Sequence, residues 1–110
     1  MSFKITTLPN FDRELKALAK KYPSIKLDLL QLINSLSDDP FQGDGLGKDC
    51  YKVRMKISSK GKGKSGGSRV ITCVKVINEQ ITLISIYDKS EQADIADKLL
   101  QQLLKDAGLL

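Results

Sequence analysis

Lys52, Arg54 and Lys56 recur at every second position, Arg69 opens a later apolar run, and Tyr87-Asp88-Lys89 closes another. These residues are the ones best suited to chemistry, and the chemistry is that of phosphate. An Arg holds nonbridging oxygens through paired donors, whereas Lys is a point charge. Among other cations a Lys loses basicity, and a Lys so tuned can take or give a proton near neutrality. RNA needs only that much help, because its own 2′-hydroxyl is the nucleophile. An enzyme must deprotonate that hydroxyl, neutralise the phosphorane charge and protonate the leaving oxygen.

The charge distribution supports a localised phosphate site. The 110-residue chain has 18 Lys and Arg against 13 Asp and Glu, a formal net charge of +5. Eight of those cations and none of the acids lie between Cys50 and Asn78, so the remainder carries 10 basic and 13 acidic residues. One segment is strongly basic on an otherwise mildly acidic protein, the footprint of a polyanion-binding patch. The plainer alternative is a solubilising basic edge strand, a common defence against aggregation.

Other chemistries find little support. The chain has no His, so the usual base of a nucleophilic triad is absent. Cys50 and Cys73 lack metal-ligand spacing and fall in apolar runs, where a small buried thiol is ordinary. They could face each other across a hairpin, which requires no disulfide. Gly63-Lys64-Ser65 resembles the end of a phosphate-binding P-loop, but Ser58 stands where that motif needs Gly, and a strand pattern follows instead of a helix. Asp38-Asp39 reads as a helix terminator. No metal and no cofactor are expected. The Met-Ser-Phe-Lys start has no apolar signal core and no run approaches a membrane span, so the expected compartment is the cytoplasm.

The elements that must position these residues follow from periodicity. Tyr51, Val53, Met55 and Ile57 alternate with the cations, which predicts a half-buried strand. Val70–Ile77 and Ile81–Tyr87 predict two more strands in an antiparallel meander, with a Lys-Gly tip over 61–68. Upstream, Phe3–Leu8 predicts a short strand stopped by Pro9-Asn10, with Asn10 as a helix cap. Phe11, Leu15, Leu18 and Ala19 form one helical stripe, and Ile25, Leu29, Ile33 and Leu36 a second. Residues 40–49 predict a loop. Ser90 is the expected cap of a last helix with Ile95, Leu99, Leu100, Leu103 and Leu104 as its stripe, ended at Gly108. The expectation is one α+β domain over residues 1–110, order β-α-α-β-β-β-α, with a helical hairpin on a mostly antiparallel sheet.

That order, together with Cys50-Tyr51-Lys52-Val53-Arg54-Met55-Lys56, Gly67-Ser68-Arg69-Val70 and Ser85-Ile86-Tyr87-Asp88-Lys89, resembles the RelE/ParE superfamily of bacterial toxins. Within it the chain looks most like RelE- and HigB-type toxins. The resemblance implies a ribosome-dependent messenger RNA endonuclease held inactive by an antitoxin. By position it puts the family's catalytic basic residues on Lys52, Arg54, Arg69 and Lys89, with Lys56 beside them. The family's tyrosine on the final helix falls near Ile95, an apolar position, and Tyr87 is the substitute at hand. Lys56, Lys60, Lys62, Lys64 and Tyr87 are the expected RNA contacts. Two other functions stay open: a toxin of the same fold that poisons DNA gyrase, and a basic module that binds ribosomal or messenger RNA without chemistry.

Overall fold

The computed structural model describes residues 2–60 and 66–110. Five strands, β1 (Lys4–Thr7), β2 (Asp44–Gly47), β3 (Cys50–Met55), β4 (Ser68–Lys75) and β5 (Gln80–Asp88), form one sheet in the order β1-β5-β4-β3-β2. The α-helices among the described residues are α1 (Pro9–Lys21), α2 (Ile25–Asp38) and α3 (Asp97–Asp106).

The expected meander is present, but the sheet is mixed, with three antiparallel strand pairings and one parallel one among the described residues. β1 runs parallel to β5, with Ile5 opposite Ile81 and Thr7 opposite Leu83. A parallel neighbour requires a long crossover. The α1–α2 hairpin and strands β2, β3 and β4 lie between these two strands in sequence.

β2 lies in the segment expected to be a loop. Its Asp-Gly-Leu-Gly sequence has no strand propensity, and tight backbone geometry makes it pair. Gly47, Lys48 and Asp49 all have positive φ, at 83°, 54° and 65°, which reverses the chain onto β3. Just before β2, Gly43 (φ 88°) passes so close to β3 that a Cβ there would lie 2.2 Å from the Lys52 carbonyl oxygen.

The sheet separates two cores. Val53, Met55, Ile57, Val70, Leu83 and Ile86 pack with Phe11, Ile25, Leu29 and Leu36 of the helical hairpin. On the other face Cys50, Ile71, Cys73, Ile84 and Tyr87 pack with Ile95, Leu100 and Leu104. The alternation of β3 therefore reads out as expected, with Val53, Met55 and Ile57 buried and Tyr51 half-buried. Cys50 and Cys73 are directly opposite one another on β3 and β4, both buried and both free thiols.

Several boundaries differ from expectation for identifiable reasons. Pro9, not Asn10, begins α1, where its missing N–H costs nothing. Asn10 instead donates to the Ile84 carbonyl at 3.1 Å, and Glu14 accepts from Ser85 Oγ at 2.8 Å and from the Ile86 N–H. Those two α1 residues satisfy the irregular stretch of β5 where its register with β4 shifts. β4 stops at Lys75, and Ile77 is 97% exposed in the turn that follows. α3 begins only at Asp97, because Ser90 is turned towards Asp88. Leu99 lies outside the buried stripe, and Gly108 (φ 70°) follows the helix end as expected.

Candidate functional site

β3, β4 and β5 bring three of the singled-out residues into one row. Arg54 lies opposite Arg69 on β4, and Arg69 lies opposite Tyr87 on β5. Residues paired across antiparallel strands present their side chains to the same face, so these three share the face that carries α3. Lys52 occupies the same face of β3, two residues along.

Burial divides the row. Arg54 is exposed, whereas Arg69 is only 5% exposed and donates from a guanidinium nitrogen to the Ser68 carbonyl at 3.1 Å. An Arg at the start of a strand reads as surface in a sequence. Here β3 and β5 flank it on both sides and enclose it. Tyr87 is also buried, packed in the core beneath α3, and does not reach the surface where it could stack on a base. Its hydroxyl makes no hydrogen bond among the described residues. Burial and the Asp94 carboxylate push its pKa up to about 12, with Arg69 acting in the opposite direction. Ile95, at the position of the family's tyrosine, belongs to the same core.

Lys52 Nζ lies 3.4 Å from an Asp94 oxygen. The nearest partner of this lysine is therefore a carboxylate, contrary to the expectation of a cation among cations. The Ile95 N–H bond and the Lys52 charge hold the Asp94 carboxyl below its ordinary range. Asp94 was missed in the sequence because a single acid in a loop carries no pattern.

Lys60 does not extend into solvent. Its ammonium donates to Asp88 at 2.8 Å and to Ser90 Oγ at 2.9 Å, and it lies over the Tyr22 ring. Asp88 is buried and also accepts from the Tyr22 hydroxyl and from Ser90 N–H and Oγ. Burial opposes ionisation of Asp88, but the bonds from Lys60, Tyr22 and Ser90 prevail and hold its carboxyl well below the usual carboxylate range. A second clamp lies alongside. Asp28 of α2 accepts from Ser58 N–H and Oγ and from Ser24 Oγ, fixing the 3-10 turn Ser58–Lys60 against the helical hairpin. Lys60 is thus part of the anchor at the base of the Lys-Gly segment. Lys62 and Lys64 lie outside the described residues.

Lys89 follows the end of β5, and its N–H bonds the Gly67 carbonyl at 3.0 Å, two residues before Arg69. Lys56 is exposed beyond the end of β3. Arg54, Lys56, Lys52 and Lys89 are the cations of the strand face with charge at or near the surface. Arg69 supplies positive charge from beneath them. Such an arrangement can hold a phosphodiester and stabilise an anionic transition state. Among the described residues, no group of three His, Cys, Asp or Glu side chains is placed to hold a metal, and no helix is long and apolar enough to cross a membrane.

The fold is that of toxins from toxin–antitoxin pairs. A doubly substituted E. coli toxin RelE in the free state superposes with a TM-score of 0.62 at 17% identity, covering 96% of this chain and 98% of that one. The RelBE2 toxin–antitoxin complex of Mycobacterium tuberculosis gives 0.63 at 15% identity, covering 86% and 95%. The archaeal RelE–RelB complex from Pyrococcus horikoshii gives 0.55 at 17%, covering 84% and 100%. At the level of sequence, residues 10–110 match the family described as the RelE toxin of the RelE / RelB toxin-antitoxin system. The chain belongs to the RelE toxin family.

Proposed function

We propose that this toxin acts as an endoribonuclease that cleaves messenger RNA on the ribosome and so blocks translation, and that a cognate antitoxin holds it inactive. The observation that carries the reading is the Arg54–Arg69 pair on one sheet face, with Lys52 two residues along. Arg54, exposed, takes the nonbridging oxygens of the scissile phosphate. Arg69, buried below, meets the charge that develops on the phosphorane with a donor already desolvated and fixed, the condition under which such a charge is most effective. Lys52 is the phosphate contact or proton carrier, oriented by Asp94. Lys56 and Lys89 extend the contact along the backbone of the RNA, with Lys62 and Lys64 of the Lys-Gly segment as further contacts.

The Tyr87 phenol, with its pKa pushed up to about 12, stays protonated at neutral pH and is not the base. A lysine ammonium of this face can donate the proton that the leaving oxygen takes, and the proton of the 2′-hydroxyl goes to an acceptor on the ribosome or in solvent. Two of the structural neighbours are complexes with RelB, which supports an antitoxin as partner of this chain.

The test is induction of the protein without its antitoxin in a bacterial host, followed by mapping of 5′ ends on messenger RNA. Growth arrest with new 5′ ends inside translated regions is the expected result. Arrest with intact messages and stalled replication would replace this reading with gyrase poisoning. RNA binding with neither effect would leave a non-catalytic module.

A further inference from the structure

β2 is shorter than the strand it accompanies. It pairs with β3 only as far as Asp44 opposite Lys52. Beyond that point no strand among the described residues lies beside the outer edge of β3, and a groove of about 310 Å³ opens between this edge and α2. Arg54 and Lys56 form one wall, Gln31 and Ser35 of α2 the other, Gln42 one end, and Leu32 and Met55 contribute apolar surface.

The main chain adds to the groove. The Val74 N–H bonds the Asp49 carbonyl at 2.9 Å, so that pair is a hydrogen-bonded one in the β3–β4 ladder. Hydrogen-bonded and non-bonded pairs alternate in antiparallel ladders. Counting along the register, Cys50–Cys73 and Arg54–Arg69 are non-bonded pairs. The Arg54 N–H and C=O therefore point away from β4, into the open edge. A backbone donor and acceptor thus sit together below the Arg54 side chain.

The side-chain amide at the end of the groove is oriented. Gln42 Nε2 donates to Ser35 Oγ at 2.8 Å and to the Asp39 carbonyl at 2.9 Å, which leaves its Oε1 as the acceptor on offer. The Asp28 carboxylate, also at the groove, already accepts from Ser24 and Ser58, and Lys56 acts on it electrostatically. The uncovered edge spans about three residues, too short to receive a peptide strand with a useful ladder. Two cations, an oriented amide, a backbone donor–acceptor pair and an apolar floor suit an unstacked base whose own phosphate lies on Arg54.

We propose that this groove is a base-reading subsite: it takes one nucleobase of single-stranded RNA next to the phosphate held at Arg54, with Gln31 and Gln42 as the specificity-determining side chains. The inference rests on the assignment of the strand face as an RNA site.

The test uses the full chain and two readouts. In the first, 5′ ends are mapped on one message set for the wild type, Gln31→Ala and Gln42→Leu. At least one variant should change its base preference beside the cut by roughly fivefold or more, the lower end of what a pair of base-reading hydrogen bonds supplies. In the second, a single-stranded RNA oligonucleotide carrying 4-thiouridine is photo-crosslinked to wild-type protein and the adduct located by mass spectrometry. Adducts on the Gln31–Ser35 or Gln42 peptides are expected. An unchanged cut pattern in both folded variants, or adducts confined to other peptides, would overturn the groove while the nuclease reading stands. Loss of antitoxin binding in the variants with an unchanged cut pattern would make the groove a protein-docking surface instead. No cleavage by wild type, but adducts in the groove, would remove the nuclease and keep the RNA subsite.

Discussion

Arg54 and Arg69 are directly opposite each other across β3 and β4, one open to solvent and the other only 5% exposed. Like charges at paired positions on adjacent strands are destabilising unless something of opposite sign is near. A bound phosphate adds negative charge at Arg54, the member of the pair that solvent reaches. The two residues also separate function from stability in a way that mutation can read.

Arg54→Ala should leave the denaturation midpoint nearly unchanged, within about 0.5 kcal/mol, because an exposed side chain is removed. Cleavage should fall by roughly a hundredfold to a thousandfold, the usual effect of losing one well-placed charge donor. Arg69→Ala should lose cleavage and also about 1.5–3 kcal/mol of stability, since a buried charged donor to the Ser68 carbonyl goes with it. Urea unfolding and message cleavage on the same preparations check both. Its burial makes Arg69 a residue of the fold as well as of the site. Lys64→Ala should cost far less activity than either.

The Asp88 clamp predicts a pH dependence. A carboxyl whose folded pKa is depressed contributes stability above its unfolded value, near 4, and loses it as pH falls through that range towards the folded value. Wild type should therefore lose stability steadily as pH drops from about 5 to about 2, with Asp28 adding to the trend. Asp88→Asn should be less stable at pH 7 and show a shallower slope on acidification. Equal slopes in the two proteins would mean that the clamp does not govern the acid limb.

Lys60→Met removes the ammonium from a buried carboxylate that keeps its Tyr22 and Ser90 bonds. Breaking one side of a buried pair typically costs about 3–5 kcal/mol, and the remaining donors place this case at the lower end. RNA affinity should change little, because Lys60 is already paired. A large loss of affinity at unchanged stability would return Lys60 to the RNA contacts.

RNA binding should weaken steeply with salt. With about five phosphate contacts, log affinity against log salt should slope by roughly −3 to −4 for a single strand. A flat response would remove the phosphate site altogether.

Met55→Asp should abolish folding. Met55 is buried in the core beneath the helical hairpin, and an unpaired charge there costs several kcal/mol, comparable to the whole stability of a small domain. The absence of a cooperative unfolding transition checks this, and a folded, soluble variant would contradict the assignment of strand faces.

What the sequence made legible was periodic. The two-residue alternation of Tyr51 to Ile57 gave the face of β3 correctly, and the helical stripes of α1 and α2 placed the hairpin. What it hid had no period. β2 arises from three successive positive-φ residues, a conformation a Lys and an Asp do not advertise. The burial of Arg69 depends on β3 and β5 closing over it, while the charge of the residue argues for exposure. Tyr87 had two plausible environments, and only the path of α3 across the sheet decides between them. The pairing of Lys60 with Asp88, and of Lys52 with Asp94, joins residues far apart in the chain. The groove beside Arg54 exists because β2 begins only at Asp44, opposite Lys52.

The parallel pairing of β1 with β5 has a consequence for the moment of synthesis. Thr6 and Thr82 meet across that pair at a separation of 76 residues. Chains grow at roughly 5–20 residues per second, so β1 waits on the order of 4–15 seconds for its partner to be made. Arg54 and Arg69 cannot face each other with Tyr87 behind them until β5 has left the ribosome, and α3 must follow to seal that face. The proposed site therefore cannot assemble until β5 has been made, and α1 and α2 are exposed before it exists.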